Sequence, residues 1–425
     1  MRLFVIILSL LATSMLHGQR TILHCGQLID VKISTIQKEM SIIIDGNKIV
    51  DVQKGYTTGS GSDKVIDLKN RTVMPGLMDM HVHLEGETNP NRFLQQFTMN
   101  PADIAFQSAV YAERTLMTGF TTVRDLGGSG VNISLRNAIN KGLTKGPRIF
   151  TAGKIIASTG GHGDTTNGYR ADLMGDPGPL MAVANGVDEC RKAVRQRYKE
   201  GSDLIKITAT GGVLSVAKDG SGPQFTEEEI RAIVETAKDY GFTVAAHAHG
   251  AEGIKRAIRG GVSSIEHGTL MDDECIELFK KHGTWYVPTI TAGRSVADSA
   301  KIPGYYQPVI VPKAISIGSQ LQATFAKAYK AGVKIAFGTD AAVYAHGKNW
   351  LEFVYMNEGG MPALEAIKCA TMNAAELLGM SAQLGSIEKG KLADIVAVDG
   401  DPSKDIQVMG KVKFVMKDGK VYKNE

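Results

Sequence analysis

The chain has 425 residues, and 43% of them are hydrophobic, which is enough for a large core and excludes an intrinsically disordered chain. This length exceeds what one compact core usually holds, so a large domain with a smaller one is expected. The formal net charge is only +4 and neither sign forms a long run, which argues against a nucleic-acid-binding surface.

Residues 1–18 have the layout of a secretory signal peptide. Arg2 supplies a positive start, the stretch up to Met15 is apolar apart from three hydroxyl residues, and polar residues follow Gly18. The apolar stretch is too short to span a bilayer comfortably, and no other reaches about 18 apolar residues. We expect export to the periplasm or the medium without stable membrane insertion. An uncleaved N-terminal anchor is the alternative.

The mature chain begins and ends with short β-type runs, and Asp45-Gly46 is a hairpin turn signal between two of them. The runs are Thr21–His24, Ser41–Asp45, Lys48–Val52, Lys64–Leu68, Ile395–Val398 and Lys413–Met416. We predict that residues 19–72 and 383–425 pair into one small β-sandwich domain. Residues 73–382 would then form a larger domain inserted between them.

The centre of the chain alternates apolar β-type runs with helical patterns. The eight runs are Val73–His83, Thr121–Asp125, Arg148–Ala152, Leu204–Thr208, Thr243–His249, Ser264–His267, Trp285–Thr289 and Lys334–Thr339. The clearest helix is Thr226–Tyr240, with Thr226 as N-cap and glutamates in its first turn. This alternation predicts an α/β fold, a (β/α)₈ TIM barrel. A doubly wound open sheet is less favoured, because no GxGxxG opens a helix after the first strand.

The four cysteines, Cys25, Cys190, Cys275 and Cys369, are far apart and form no CxxC pair. A chain of this size does not need disulfides even in an oxidising compartment. We expect them to be mostly buried small hydrophobic residues.

Histidines and one aspartate fall at the ends of the predicted strands, where barrel enzymes place their active sites. They are His81 and His83 (first strand), His247 and His249 (fifth), His267 (sixth) and Asp340 (eighth). Each i,i+2 pair on a strand has both rings on one face. One histidine alone would more often be a core or loop residue, but this coincidence predicts a site for zinc or a related divalent metal.

Lys206 lies inside an otherwise apolar β-type run, and burying an unpaired ammonium is costly. One interpretation is a lysine near the strand end that reaches solvent. The other is a lysine carboxylated by CO₂, whose two oxygens could bridge two metal ions. An unmodified ammonium could not, because it has no lone pair.

These residues and their order resemble the amidohydrolase superfamily. The pattern matched is His81-x-His83, Lys206, His247, His267 and Asp340. The segments Val73–Asp79 and Lys391–Ile395 also match, and the resemblance covers nearly the whole chain after the signal peptide. It implies a barrel with a flanking β-domain and two divalent ions, most simply Zn²⁺.

Within the superfamily the chain resembles the imidazolonepropionase-related group that includes prolidase-like dipeptidases. The closer match rests on Thr159–Asp164, Ala246–Gly250 and Ser264–Thr269. Imidazolonepropionases use one metal and lack the strand-4 lysine, so Lys206 argues against that activity. Several prolidase-like members have Tyr where this chain has His249. That difference indicates C-terminal residues other than proline, such as basic or aromatic ones.

The resemblance also implies roles for the ligands. His81, His83 and Asp340 would hold the more buried metal, and His247 and His267 the second. Carboxylated Lys206 would bridge the two together with a hydroxide. As a catalytic residue, Asp340 would pass the proton of the attacking hydroxide to the leaving amine.

Five further residues are candidates for catalysis or substrate binding. His162, in a Gly-rich loop after the third strand, would donate a hydrogen bond to the oxyanion or the substrate carboxylate. His249 would bind the substrate α-carboxylate or support His247. Tyr169 and Arg170 follow the third strand, and Arg170 could clamp a carboxylate, although a solvated loop arginine is the simpler interpretation. His346 follows the eighth strand and could line the pocket.

Together these features predict a hydrolase that cleaves the amide bond of dipeptides or N-acyl amino acids. Hydrolysis of a cyclic amide or a lactone is the alternative within enzymes. A deaminase is disfavoured because of Lys206, and an inactive scaffold is disfavoured because all six metal positions are present. The resemblance further implies a homo-oligomer. Residues 291–312 match no clear pattern, and a lid over the site is the one role considered for them.

Overall fold

The computed structural model describes residues 19–217, 220–318 and 320–425. The predicted signal peptide, residues 1–18, lies outside these ranges. No helix within the described ranges combines the length and the apolar character that crossing a bilayer requires.

Within the described ranges the chain forms fourteen strands. They are β1 (Thr21–Asp30), β2 (Thr35–Asp45), β3 (Lys48–Lys54), β4 (Lys64–Pro75), β5 (Leu77–Val82), β6 (Phe120–Asp125), β7 (Arg148–Thr151), β8 (Ile205–Thr208), β9 (Val244–Gly250), β10 (Ser264–Leu270), β11 (Trp285–Val287), β12 (Ile395–Asp399), β13 (Val412–Lys417) and β14 (Lys420–Asn424).

The helices of the described ranges lie mainly between the central strands. They are α1 (Arg92–Thr98), α2 (Pro101–Met117), α3 (Val131–Asn140), α4 (Ala171–Met174), α5 (Gly186–Glu200), α6 (Glu227–Asp239), α7 (Ala251–Gly260), α8 (Asp273–His282), α9 (Ile290–Ser299), α10 (Val311–Gly318), α11 (Leu321–Lys330), α12 (Leu351–Glu358), α13 (Ala363–Lys368) and α14 (Ala374–Leu377). Short 3₁₀ turns cover Pro179–Met181 and Ile406–Gly410, and a π turn covers Cys369–Asn373.

The two chain ends share one seven-stranded sheet, in the order β14-β13-β12-β4-β1-β2-β3. Strand β12 pairs antiparallel with β4, which aligns Ile395 with Pro75 and joins the ends directly. Residues from both ends, including Leu23, Ile42 and Phe414, form one hydrophobic core. A β-domain built from both ends is thus confirmed. Its strands make one continuous hydrogen-bonded sheet.

The central strands form two parallel sheets, β5-β6-β7 and β8-β9-β10-β11, which meet at two seams. At one seam Ile156 bridges Ile207, and the Asp203 amide donates to the Thr151 carbonyl at 2.8 Å. At the other, residues 334–341 bridge both β11 and β5, through Ile335 and Ala341 respectively. Eight parallel strand positions therefore surround one core, which is the predicted (β/α)₈ barrel.

Two predicted strands differ from the structure for local reasons. The run Val73–His83 divides at Gly76, where β4 leaves the end-domain sheet and β5 enters the barrel. A Cβ there would lie 2.2 Å from the Thr121 hydroxyl oxygen, so only glycine fits. The eighth run is irregular, because the amide of Asp340 already donates to the His81 carbonyl at 2.7 Å and its φ is +58°.

The local signals for helix α6 are confirmed. The Thr226 hydroxyl accepts from the Glu229 amide, and the Glu229 carboxylate accepts from the Thr226 amide. This reciprocal capping box satisfies two amides that the first helical turn cannot. The buried face includes Ile230, Ile233 and Ala237.

All four cysteines lie in the described ranges and are buried and free. Burial raises the pKa of the Cys369 thiol to about 12. A thiol this far from ionisation is a poor nucleophile, which fits a packing role.

The core of the end domain depends on Phe414, whose side chain is fully buried. We expect Phe414→Ala to lower the free energy of unfolding by about 3–5 kcal/mol, because it removes buried area and leaves a cavity. Phe106→Ala is the matched control, since Phe106 is 78% exposed. Urea unfolding monitored by circular dichroism measures both. A loss below about 1 kcal/mol for Phe414→Ala would contradict this account of the core.

Candidate metal centre

The histidines predicted from the strand ends converge at the C-terminal mouth of the barrel. His81 lies on β5, and His83 directly follows that strand. His247 and His249 lie on β9, and His267 lies on β10. Neighbouring ring centroids are 4.6–5.3 Å apart for the pairs His81–His83, His81–His267, His247–His249, His247–His267 and His249–His267. Parallel strands bring their carboxyl ends to one edge, so residues far apart in sequence form one cluster.

Three of these rings have one nitrogen fixed by an acceptor of the protein. The Nδ1 of His81 lies 2.9 Å from Glu266 Oε2, and the Nδ1 of His83 lies 2.6 Å from the Gly127 carbonyl. The Nε2 of His247 lies 3.1 Å from the Gly211 carbonyl. Carboxylate and carbonyl oxygens only accept, so each of these nitrogens donates a proton. The opposite nitrogen of each ring therefore keeps its lone pair, as a metal ligand requires.

The free lone pairs of His81 Nε2 and His83 Nε2 face the carboxylate of Asp340. Asp340 Oδ1 lies 3.5 Å from His81 Nε2 and 3.4 Å from His83 Nε2. Ligand atoms of His81, His267 and Asp340 all lie within 4.8 Å of one another. Several acceptors around one space repel each other unless a cation lies between them, so this donor set fits a divalent metal.

The electrostatics of the cluster point the same way. Burial lowers the pKa of His81 to about 4 and places that of His267 well below its usual value, so both rings are neutral at neutral pH. Burial would raise the pKa of Asp340, but His81 and His83 lower it to about 2. Burial would also lower the pKa of His83, yet the hydrogen bond and charge of Asp340 raise it. The ionised Asp340 carboxylate thus stabilises positive charge at its position in the cluster.

Lys206 lies on β8 and is only 2% exposed. Burial lowers the pKa of its ammonium to about 8, while Glu266 and Asp340 oppose that shift. No hydrogen bond to its Nζ is made by the described residues. The interpretation as a strand-end lysine that reaches solvent does not fit this burial. A substantial neutral fraction near pH 8 fits a side chain whose amine can react.

Backbone strain is concentrated around the cluster. His267, Thr289 and Asp340 have φ values of +71°, +54° and +58°, in the left-handed region that side chains with a Cβ rarely adopt. The Thr289 hydroxyl lies 2.7 Å from His267 Nδ1. Strain of this kind persists only where surrounding contacts enforce it, and it is typical of functional sites.

A buried carboxylate beneath the cluster joins the two strand ends that carry His81 and Asp340. Asp79 Oδ1 accepts from the amides of His81 and Thr339, each at 3.1 Å. Its Oδ2 accepts from the Thr339 hydroxyl at 2.6 Å and from Asn349 Nδ2 at 2.7 Å. These four bonds hold the first and eighth strand positions in register.

His162 and His249 lie beside the ligand cluster. The His162 ring centroid is 4.4 Å from that of His247, and its Nδ1 is buried without a hydrogen-bond partner in the described residues. Gly212 packs against the His162 ring, where a Cβ would lie 2.3 Å from Cε1. His249 Nδ1 lies 2.8 Å from the Thr269 hydroxyl. Both rings therefore lie in direct contact with the ligand candidate His247.

The other three substrate-binding candidates make most of their contacts elsewhere. The His346 ring stacks on Tyr111 at 4.9 Å, and its Nε2 lies 3.0 Å from the Gly86 carbonyl. Tyr169 packs on Phe93 and Phe97 of α1. Arg170 is 72% exposed at its side chain and pairs with Asp172. Burial lowers the pKa of His346, and the charge of His83 contributes to that shift, so His346 borders the cluster. The contacts of Tyr169 and Arg170 lie away from it.

Residues 291–312 comprise most of α9, a stretch of turns over residues 300–310 and the start of α10. Helix α9 begins against the barrel, where the buried Glu352 carboxylate accepts from the amides of Ile290 and Thr291 at 2.8 and 2.7 Å. Its first residues are buried, so this end is a fixed part of the barrel mouth. The segment continues through residues 300–310 into α10.

Sequence reasoning assigned no role to Arg124 and Glu266, which meet inside the barrel. Arg124 Nη2 donates to Glu266 Oε1 at 2.8 Å, and Glu266 Oε2 contacts His81. The available signal was a charged residue inside an apolar strand, the same signal that singled out Lys206. Opposite charges on β6 and β10 could have been paired on that ground.

Metal-free protein should lose stability as the pH falls from about 6.5 to about 4. In this window the unfolded chain binds protons at histidines that stay neutral in the fold, because burial lowers their pKa, to about 4 for His249. His249→Gln should make the slope shallower by up to about 1.4 kcal/mol per pH unit. Urea unfolding in the presence of a chelator measures it. Exposed His282→Gln is the control, and an unchanged slope for His249→Gln would contradict the prediction.

The comparisons with known proteins agree with this geometry. The sequence model of the amidohydrolase family matches residues 72–422. A crystal structure of a Xaa-Pro dipeptidase with methionine bound in its active site is 54% identical, with a TM-score of 0.94 over 96% of this chain and 100% of that one. A prolidase structure complexed with N-methylphosphonate-L-proline is 35% identical, with a TM-score of 0.88 over 96% and 100%.

Ochratoxinase from Aspergillus niger is 34% identical over 95% of this chain and 86% of its own length. The family match spans most of the chain, and the similarity to a prolidase and a dipeptidase confirms the predicted prolidase-like group. The chain therefore belongs to the amidohydrolase family and is a hydrolase acting on carbon–nitrogen amide bonds.

Proposed function

We propose that this protein is a binuclear, divalent-metal-dependent hydrolase that cleaves dipeptides or N-acyl amino acids with a free C-terminal carboxylate. The observation that carries the proposal is the convergence of His81 Nε2, His83 Nε2 and Asp340 Oδ1 on one space, with Asp340 Oδ1 within 3.5 Å of each nitrogen. His247 and His267, whose ring centroids lie 4.7 Å apart, would supply a second set of ligands. Zinc fits the imidazole and carboxylate donors.

Lys206 would join the two ligand sets as a carboxylated side chain. Carboxylation forms a bond between Nζ of the neutral amine and the carbon of CO₂ and releases one proton. Burial supports it, because it lowers the pKa of Lys206 to about 8 and so increases the neutral amine. The product carries two oxygens and a negative charge that neutralises part of the charge of two cations.

When bound, the two ions would supply an activated water and polarise the scissile carbonyl. Asp340 would take a proton from that water, since its carboxylate stays ionised. It would return the proton to the leaving amine nitrogen, which departs poorly without it. His162, with an unpartnered buried Nδ1, would donate to the developing oxyanion.

His249 would bind the free carboxylate of the substrate. It lies beside the ligand cluster, and its ring is oriented by Thr269. The similar dipeptidase structure has methionine bound in its active site, and a second relative is named ochratoxinase and not prolidase. We therefore propose that the C-terminal residue accepted extends beyond proline.

We also propose that the protein is exported, with residues 1–18 removed, and that it forms a homo-oligomer. Mass spectrometry of the purified protein would give the new N-terminus, and light scattering would give the oligomeric mass. An intact N-terminus in the exported fraction would contradict cleavage.

The test of the proposed activity is amine release from dipeptides and N-acyl amino acids, with zinc and bicarbonate supplied. The C-terminal residue varies among proline, basic, aromatic and aliphatic types, with amidated versions as controls. We expect cleavage that disappears on amidation. A protein that holds two metal ions but cleaves only cyclic amides or lactones would overturn the substrate class.

We expect Lys206→Ala to abolish turnover and to lower the metal content, because the bridge between the two ions is lost. Metal content by mass spectrometry and activity are measured together. Lys417→Ala is the matched control, since Lys417 is also a buried lysine but lies on β13 and donates to the Gly146 carbonyl. Full activity of Lys206→Ala would rule out the bridging role.

Asp340→Asn should retain metal, because the amide oxygen still coordinates, but it cannot take up the proton. Turnover should fall by about 10²- to 10⁴-fold. Steady-state kinetics at matched metal content checks this. Near-normal turnover would remove Asp340 as the proton carrier.

A further inference from the structure

Arg124 and Glu266 form an ion pair inside the barrel that is fully removed from solvent. Their side chains are 1% and 0% exposed, and Nη2 lies 2.8 Å from Oε1. They come from β6 and β10, which belong to different sheets, so they meet across the barrel interior. Such a pair adds little stability by itself, because desolvation of the two charges offsets their attraction.

Each residue of this pair makes one hydrogen bond to the first metal-ligand strand, and both also bind Ser264. Arg124 Nε donates to the Met80 carbonyl at 2.7 Å, and Nη1 donates to the Ser264 hydroxyl at 3.1 Å. Ser264 donates in turn to Glu266 Oε1 at 2.5 Å. The second oxygen, Oε2, accepts from His81 Nδ1 at 2.9 Å. Arg124 thus holds the backbone before His81 directly and its ring through Glu266.

This arrangement controls which nitrogen of His81 carries the proton. A carboxylate already bound to a guanidinium and a hydroxyl offers Oε2 as an acceptor, so Nδ1 of His81 must donate. The lone pair is then on Nε2, which lies 3.5 Å from Asp340 Oδ1 at the proposed metal position. Carboxylates that bind ligating histidines in this way orient the ring and raise its basicity.

We propose that Arg124 and Glu266 are a positioning pair that sets the metal affinity of the site by fixing the orientation and tautomer of His81. The inference rests on the proposed function, since it needs His81 to bind a metal. Neither residue contacts substrate in this role. The pair acts on the affinity for Zn²⁺ rather than on the stability of the barrel.

The test is the affinity for Zn²⁺, measured on the full chain by competition with a chromophoric chelator, alongside thermal unfolding of the metal-free protein. Glu266→Gln should weaken zinc binding by about 10- to 100-fold. Arg124→Met should weaken it and also destabilise the fold, because it leaves a buried carboxylate unpaired. The double variant R124M/E266Q removes both charges. It should unfold near the wild-type temperature and still bind zinc weakly.

Two further variants separate an effect on zinc affinity from a general loss of stability. Glu266→Asp retains the charge but is one methylene shorter, so it cannot contact both Arg124 and His81, and it should also weaken zinc binding. The matched control is R148M/D394N, which removes an ion pair of 2.7 Å at the domain junction, where Asp394 is buried. It should change the unfolding temperature and leave zinc affinity unchanged.

Wild-type zinc affinity in Glu266→Gln or Glu266→Asp would overturn the proposal, as would an equal loss of affinity in R148M/D394N. If the double variant does not fold, Glu266→Asp decides. The readout needs no substrate, so zinc binding by the wild type without dipeptide cleavage would count against the proposed substrate and not against this pair. Absence of zinc binding by the wild type would overturn both.

Discussion

The structure depends on a crowding of acceptor atoms at one end of the barrel. Two imidazole nitrogens and a carboxylate oxygen share a space in which Asp340 Oδ1 lies 3.5 Å or less from each nitrogen. The Nδ1 atoms of His81 and His83 already donate hydrogen bonds to Glu266 and to the Gly127 carbonyl. The rings therefore cannot turn to relieve the repulsion. A divalent cation resolves this conflict more completely than a single proton can, because it accepts several lone pairs at once.

The surrounding barrel keeps the ligand side chains in place through strained backbone conformations and buried charged groups, both of which are unfavourable by themselves. Three residues at strand ends keep left-handed backbone conformations, and Asp79, Arg124 and Glu266 are buried charged groups beneath the ligands. Each charged group makes several hydrogen bonds, which is what permits its burial. Burial of Asp79 raises its pKa to about 7 even with four donors around it. The site is thus preorganised by groups that a purely structural core would not contain.

The end domain and the barrel are linked by the chain segment that enters the site. Strand β4 belongs to the seven-stranded sheet and β5 to the barrel, with Gly76 between them. The Gly76 amide donates to the Asp394 carbonyl at 2.8 Å, so the C-terminal part of the chain contacts this junction. The strand that carries His81 and His83 therefore starts from an anchored point. This anchoring restricts how far the first ligands can shift along the barrel.

Much of the fold and of the ligand set followed from local patterns in the sequence. Alternating strand and helix patterns predicted the barrel, since each pattern reflects how one segment buries its apolar face. The period of two residues in a strand predicted that His81 and His83 share a face. The cost of a buried charge singled out Lys206. Each of these signals is contained in one short stretch of sequence.

Only the tertiary structure decided what depends on residues far apart in sequence. The partner of His81 Nδ1 is Glu266, 185 positions away, and no local pattern connects them. Likewise the contacts of Tyr169 with Phe97 and of His346 with Tyr111 could not be predicted from their positions after a strand. The eighth strand became irregular because the Asp340 amide bonds to His81. Strand periodicity is a local property, whereas ring orientation, loop paths and buried pairs are set by packing of the whole barrel.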